Sequence, residues 1–261
     1  DVPARSDIGL NYSMLIASDE LVKTGKFSDA ALFLSLVLER DELLKNIEGF
    51  EAKTKRYLDQ IKKNPDNPNI PEMEAMLQIL AAQKAYLKDL KPYKVDLRAR
   101  AARNYSMTKR DYESYWSYRQ LYRDFPNHDA IEDFYFAAFA GAFKIKKNED
   151  LFEIGSEYLE KFPNGRYKKE FEFYLAQYYL NKKDYDTFFQ KANEYVVNNP
   201  DEQHSVEMVF LMGRTWMDLK KYDDLIKTFT KYDKEFEASP MREGCMYWIG
   251  MAYMVEGKYE D

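Results

Sequence analysis

From Phe171 onward the large apolar residues recur at steps of three and four: Phe171, Leu175, Tyr178 and Tyr179 in one segment, Met208, Leu211, Met212 and Trp216 in the next. That spacing gathers them on one face of an α-helix. After a short polar turn with a lysine pair and a tyrosine, a second periodic segment follows each: Phe188, Phe189 and Tyr195, then Leu225, Ile226, Phe229 and Tyr232. A proline closes each segment, so the pattern predicts a helix-turn-helix unit written at least twice.

The unit has a fixed length. Tyr185, Tyr222 and Tyr259 stand 37 residues apart, and Pro92, Pro126, Pro163, Pro200 and Pro240 follow at steps of 34, 37, 37 and 40. Two helices of ~12–15 residues cannot bury their apolar faces alone, so neighbouring pairs are expected to stack and share a core. Ala176, Gly213 and Gly250 recur at the same interval, where first helices should press closely on their neighbours.

Residues 42–91 break the pattern. Leu43, Leu44, Ile47, Phe50, Tyr57, Leu58 and Ile61 form one apolar face, and Met73, Met76, Leu77, Leu80, Leu87 and Leu90 another. The breaker NPDNPNIP, Asn64 to Pro71, separates them, which predicts an αα-hairpin with arms of about 20 residues, or ~30 Å at about 1.5 Å per residue. Such a hairpin is either an elongated member of the stack or an arm that projects from it.

At the repeated positions the chain resembles the tetratricopeptide repeat family, whose pattern pairs a Leu with a small residue, an aromatic three later, then Gly-x-Tyr and a closing Pro. Here these are Leu175-Ala176, Tyr179, Tyr185 and Pro200; Met212-Gly213, Trp216, Tyr222 and Pro240; and Ile249-Gly250, Tyr253, Gly257 and Tyr259. TGKFSDA, Thr24 to Ala30, matches the turn near the N-terminus, and the resemblance covers residues 10–40 and 92–261. Phe188 and Leu225 stand where the family usually has Ala, and Arg103 lies near a small-residue slot, which predicts local irregularity. The resemblance implies an all-α right-handed superhelix: a helix pair in 1–41, the long hairpin in 42–91, then units at 92–125, 126–162, 163–199, 200–239 and an incomplete 240–261.

EKFPNGRYKKEFEFYLAQYYL and DFPNHDAIEDFYFAAF open two units with aromatic-Pro-Asn. That opening is similar to exported tetratricopeptide proteins of bacterial envelopes, of the Tol-Pal-associated periplasmic and outer-membrane assembly lipoprotein types. It implies a periplasmic, non-catalytic scaffold that binds a protein or peptide in the concave surface made by first helices. Carried onto this chain, that groove comprises Phe173, Phe210 and Tyr247, with Gln177, Arg214 and Met251 one turn on. Rings at helical spacing usually pack, so an inter-repeat core is the leading account of these three aromatics and the groove the other. The alternative functions are a self-associating structural protein, and an accessory domain of a larger envelope enzyme.

Composition narrows these expectations. The formal net charge of −6 disfavours a dedicated nucleic-acid binder. No run approaches the ~20 apolar residues of a membrane helix, and an opening DVPARSD without Met suggests a processed or trimmed N-terminus. The single Cys245, among apolar neighbours, reads as a small buried hydrophobe.

Candidate chemistry is sparse. His128 and His204 follow inter-repeat prolines without companions at metal-ligand spacing, so they read as helix-start or surface residues and no metal or other cofactor is expected. Asp184, Asp186, Asp223 and Asp224 sit where helix starts favour carboxylates. The pairs Lys146-Lys147, Lys182-Lys183 and Lys220-Lys221 end first helices, where a cation complements the helix dipole by ~0.3–1 kcal/mol. A positive stripe meeting an acidic partner or anionic lipid is the other account of them. No Ser-His-Asp or Cys-His arrangement and no phosphate-cradling Gly-rich loop is present, so no catalytic residue is assigned.

Overall fold

A computed structural model describes residues 7–257. Among them all regular elements are α-helices, thirteen in number, and none is long and apolar enough to cross a membrane. The all-α expectation therefore holds. Tyr259 lies outside the described residues. The chain forms two compact units, Asp1–Ile145 and Lys146–Asp261.

The first unit contains α1 (Ile8–Lys23), α2 (Phe27–Leu36), α3 (Arg40–Ile61), α4 (Ile70–Asp89), α5 (Lys94–Met107), α6 (Asp111–Asp124) and α7 (Ile131–Lys144). Asp7 starts α1 by accepting from the Leu10 N–H at 3.0 Å, which satisfies one of the donors that a helix start leaves free. α1 packs on α2, α5 on α6 and α6 on α7. Although α3 and α4 intervene in the chain, α2 also packs on α5. Asn11 holds that junction: its Oδ1 accepts from the Leu38 N–H at 2.7 Å, and the Tyr93 hydroxyl donates to the Leu38 carbonyl at 3.0 Å. Residues on either side of the hairpin are thereby tied together at its base.

α3 and α4 pack on each other through a single seam. On α4 and its C-cap, Met73, Met76, Leu80, Gln83, Leu87 and Leu90 are wholly or partly buried at alternating steps of three and four, with Leu77 and Lys84 partly buried beside them, close to the spacing of a coiled-coil seam. α3 answers with Leu43, Ile47, Phe50, Thr54 and Leu58, while Tyr57, counted on the apolar face from sequence, is exposed. Ile8 and Leu38 join the cluster at the hairpin base. The arms are also linked along their length, by Arg40 to the Leu90 carbonyl at 2.9 Å, by Lys84 to Glu51, and by Lys62 to Glu74 at 2.7 Å.

Arg103 does not occupy a helix-packing slot; its neighbour Ala102 does, fully buried, with its carbonyl accepting from the Ser114 hydroxyl at 3.0 Å. The Arg103 side chain itself is exposed and does not enter that contact.

The second unit contains α8 (Asn148–Lys161), α9 (Lys168–Asn181), α10 (Tyr185–Asn198), α11 (Gln203–Asp218), α12 (Tyr222–Glu235) and α13 (Arg242–Glu256). Each helix packs on the next, and α11 also meets α13. Phe188 and Leu225, where the resemblance would place Ala, are both completely buried in one core with Met208, Met212, Phe229 and Ala252. At Gly213 the ring of Trp248 lies where a Cβ would stand. Only glycine permits that approach.

Backbone geometry repeats as strictly as the side-chain pattern. Lys109, Lys146, Lys183 and Lys220 have φ of 59, 58, 61 and 56°, and Gly257 continues the 37-residue series at 72°. These are left-handed residues just past helix ends. At Lys183 the N–H donates to Leu180 O at 3.0 Å, and the next N–H, of Asp184, reaches Tyr179 O at 3.0 Å. The same pair of bonds closes α1, α5 and α11, and it satisfies carbonyls that the helix itself cannot. An L-residue held there costs ~1–2 kcal/mol relative to glycine.

The turns between pairs recur too. The N–H groups of His128, Gly165, Glu202 and Ser239 donate to the carbonyls of Phe125, Phe162, Asn199 and Phe236 at 2.9–3.2 Å. The spacing is 37 at every step, so the 40-residue step to Pro240 marks no longer unit. Pro240 simply stands three residues later in the fourth turn than its counterparts do in theirs.

Candidate functional site

The six residues proposed from sequence lie on the first helices α9, α11 and α13, and the structure treats the three rings differently. Phe173 is 2 % exposed, because His204 at the start of α11 stacks on it at 4.1 Å with the ring planes 16° apart. It offers no ring to a groove, and Gln177 is left beside a covered position. His204 is a helix-start residue, the second of α11, and its ring is half-buried packing, with Nδ1 3.5 Å from Glu207.

Phe210 and Tyr247 are 44 % and 52 % exposed. Their ring centroids lie 6.1 Å apart in a stacked arrangement, and Trp248 meets both edge-on, at 6.0 and 5.1 Å. Gly244 makes this possible: a Cβ there would come within 3.2 Å of the Phe210 ring. The result is a three-ring cluster across α11 and α13, open on one side.

Arg214, one turn beyond Phe210, leaves 78 % of its side chain exposed and faces Asp218 at 3.9 Å. Such a pair contributes little to stability, which leaves the guanidinium available. Met251 is half-buried one turn beyond Tyr247. The structure thus brings together Phe210, Arg214, Tyr247 and Met251, and separates them from Phe173.

One residue not singled out from sequence, Met254, extends the same helix surface. Like Met246 and Val255 of α13, it is more than half exposed. Met254 follows Tyr247 by seven residues, so a two-turn step from a proposed ring would have found it.

Charge chemistry near this surface is muted. Burial pushes the Cys245 thiol up to about 12, so it stays protonated at neutral pH and is no nucleophile. Among the described residues no group of His, Cys, Asp and Glu is placed to hold a metal ion. Comparison with protein-family models and with curated proteins finds no match to this chain.

Proposed function

We propose that the chain is a tetratricopeptide-type stack of helix pairs that works as a non-catalytic scaffold. Its partner is a protein, docked as a peptide or helix against the first-helix surface formed by Phe210, Arg214, Tyr247 and Met251. The observation that carries this is the exposed stacked ring pair beside an exposed, loosely paired Arg, because interface hot spots concentrate in aromatic and Arg anchors. The strict 37-residue recurrence of backbone turns supports the repeat architecture. Placement in a bacterial periplasm rests on the resemblance of the aromatic-Pro-Asn turns to envelope proteins.

The test is affinity capture from an envelope extract with the parent protein, Phe210→Ala, Tyr247→Ala and Arg214→Ala, each paired with a thermal midpoint. Each substitution should weaken capture by ~2 kcal/mol or more if the surface binds, with Arg214→Ala leaving the midpoint unchanged. Full capture by all three variants would remove the surface from the function.

A second function, self-association, is favoured by Met254, exposed on the same face of α13 as Tyr247. Concentration-dependent mass in light scattering would separate it from binding of a different protein.

A further inference from the structure

The second unit contains the same three-helix groove twice, and only one copy is filled. In the filled copy, formed by α10, α11 and α12, Phe189 stacks on Trp216 at 4.3 Å with planes 7° apart. Val209 and Met212 are fully buried in its floor, and the Tyr232 hydroxyl donates across it to Asn193 Oδ1 at 2.6 Å. The other copy, 37 residues earlier, is formed by α8, α9 and α10 and encloses a cavity of about 320 Å³.

Three differences open it. Ser156 stands where Asn193 does, and it is too short to reach the equivalent tyrosine. Tyr195 is 2 % exposed, yet its hydroxyl has no hydrogen-bond partner among the described residues. Glu172 stands where Val209 does and places a half-buried carboxylate in the floor. Finally, Phe152 meets Tyr179 edge-on at 5.9 Å instead of stacking, so the aromatic wall leaves room.

A buried hydroxyl without a partner is costly, and a carboxylate moved from water to a cavity calls for a cation. Lys191 also lines the cavity, but its ammonium is engaged by Glu194 at 3.0 Å, which Gln190 meets at 3.0 Å as well; the ion pair of Glu172 is the longer one to Lys168, at 3.8 Å. Desolvation raises the Glu172 carboxyl above its usual range, offset in part by Lys168 and Lys191.

We propose that this cavity binds an alkylammonium group, carried either by a small amine or by a lysine side chain of a peptide. The ammonium donates to the Glu172 carboxylate and to the hydroxyl oxygen of Tyr195, and its aliphatic stem lies along Phe152, Leu175 and Tyr179. The volume falls at the lower end of small-ligand sites, ~300–1,000 Å³. The site is independent of the surface on α11 and α13.

The experiment is calorimetric and NMR titration of the whole protein with n-pentylammonium, its neutral counterpart 1-pentanol, the tripeptide Gly-Lys-Gly, and Gly-norleucine-Gly. Saturable binding of pentylammonium or Gly-Lys-Gly is expected, at least roughly tenfold tighter than the neutral probes, since charge-assisted hydrogen bonds are about twice as strong as neutral ones. Amide shifts should centre on Ser156, Glu172 and Tyr195. Tighter binding of the free amine assigns the site to small molecules, and tighter binding of the tripeptide assigns it to a lysine side chain. Glu172→Val and Ser156→Asn copy the filled groove, so each should abolish binding while the melting temperature holds or rises. No saturable binding by the parent protein, equal binding of charged and neutral probes, or undiminished binding in a folded Glu172→Val protein would overturn the proposal.

Discussion

The hairpin α3–α4 and the helix pairs α9–α13 are both all-helical and both amphipathic, yet they hold together differently. The hairpin has one narrow seam, with polar Thr54 and Gln83 among its buried or half-buried positions, and ion pairs add links between its arms. The Gln83 side-chain oxygen is buried there without a hydrogen-bond partner among the described residues, a defect of the kind that costs ~1–3 kcal/mol. In the pairs, each helix is covered by more than one neighbour, and aromatic rings close on small residues as Trp248 does on Gly213. One region supplements a narrow apolar seam with charge, and the other relies on shape. Sensitivity to pH should concentrate in the first and sensitivity to side-chain volume in the second.

The largest expected effect breaks the shape-held region. Gly213→Leu should destabilise by ~1–3 kcal/mol or more through overpacking against Trp248. Gly250, 37 residues on, has open space where its Cβ would go, so Gly250→Leu should instead be neutral or gain up to ~1 kcal/mol of helix propensity. Denaturant midpoints of the two variants measure the contrast. Equal losses at both sites would show that volume is not what distinguishes them.

Acid should loosen the charge-held region. Hydrogen bonds from Lys55 and Lys84 hold the Glu51 carboxyl down to about 2, against an ordinary 4.5. A depressed acid stabilises the fold fully above its unfolded value and loses that contribution as pH falls through the folded value. The stability difference between the parent protein and Glu51→Gln should therefore be largest above pH 4.5 and fade towards pH 2. Hydrogen exchange of α3 and α4 amides across that window reads it locally, and a difference independent of pH would remove the ion pairs from the account of the hairpin.

The smallest effect concerns the turns that both units share. Lys183→Gly and Lys220→Gly should each stabilise by ~0.5–1 kcal/mol, because relief of the left-handed cost of ~1–2 kcal/mol exceeds the ~0.4–1 kcal/mol that glycine loses through a freer unfolded chain. Thermal midpoints of the single and double variants suffice. A decrease would mean that the lysine side chains contribute more at these helix ends than their backbone strain costs.

Much of the helical organisation was legible because it is periodic. Tyr185 and Tyr222 mark equivalent helix starts, and the seam residues of α3 and α4 stand on the faces their spacing predicts, Tyr57 excepted. The left-handed lysines were legible in principle: Gly25 and Gly257 stand at the same place in their turns, and glycine there signals positive φ. The fate of Phe173 was not. Its cover comes from His204, 31 residues away, and periodicity within α9 carries no information about a ring arriving from another helix. The open groove beside Tyr195 was hidden for a similar reason, since Ser156 matters only through its difference from Asn193.

The inter-pair turn described above has a further consequence for how this chain can change length. Gly165 and Glu202 occupy the same hydrogen-bonded position in successive turns. A cut removing residues 166–202 would join Gly165 to Gln203, and each side of the splice would meet backbone already shaped like its former neighbour. Inside a helix, by contrast, one residue more or fewer rotates the rest of that helix by about 100° around its axis and presents polar side chains to the core. Whole units can therefore be gained or lost through these turns, whereas single-residue changes within the helices displace every core position beyond them.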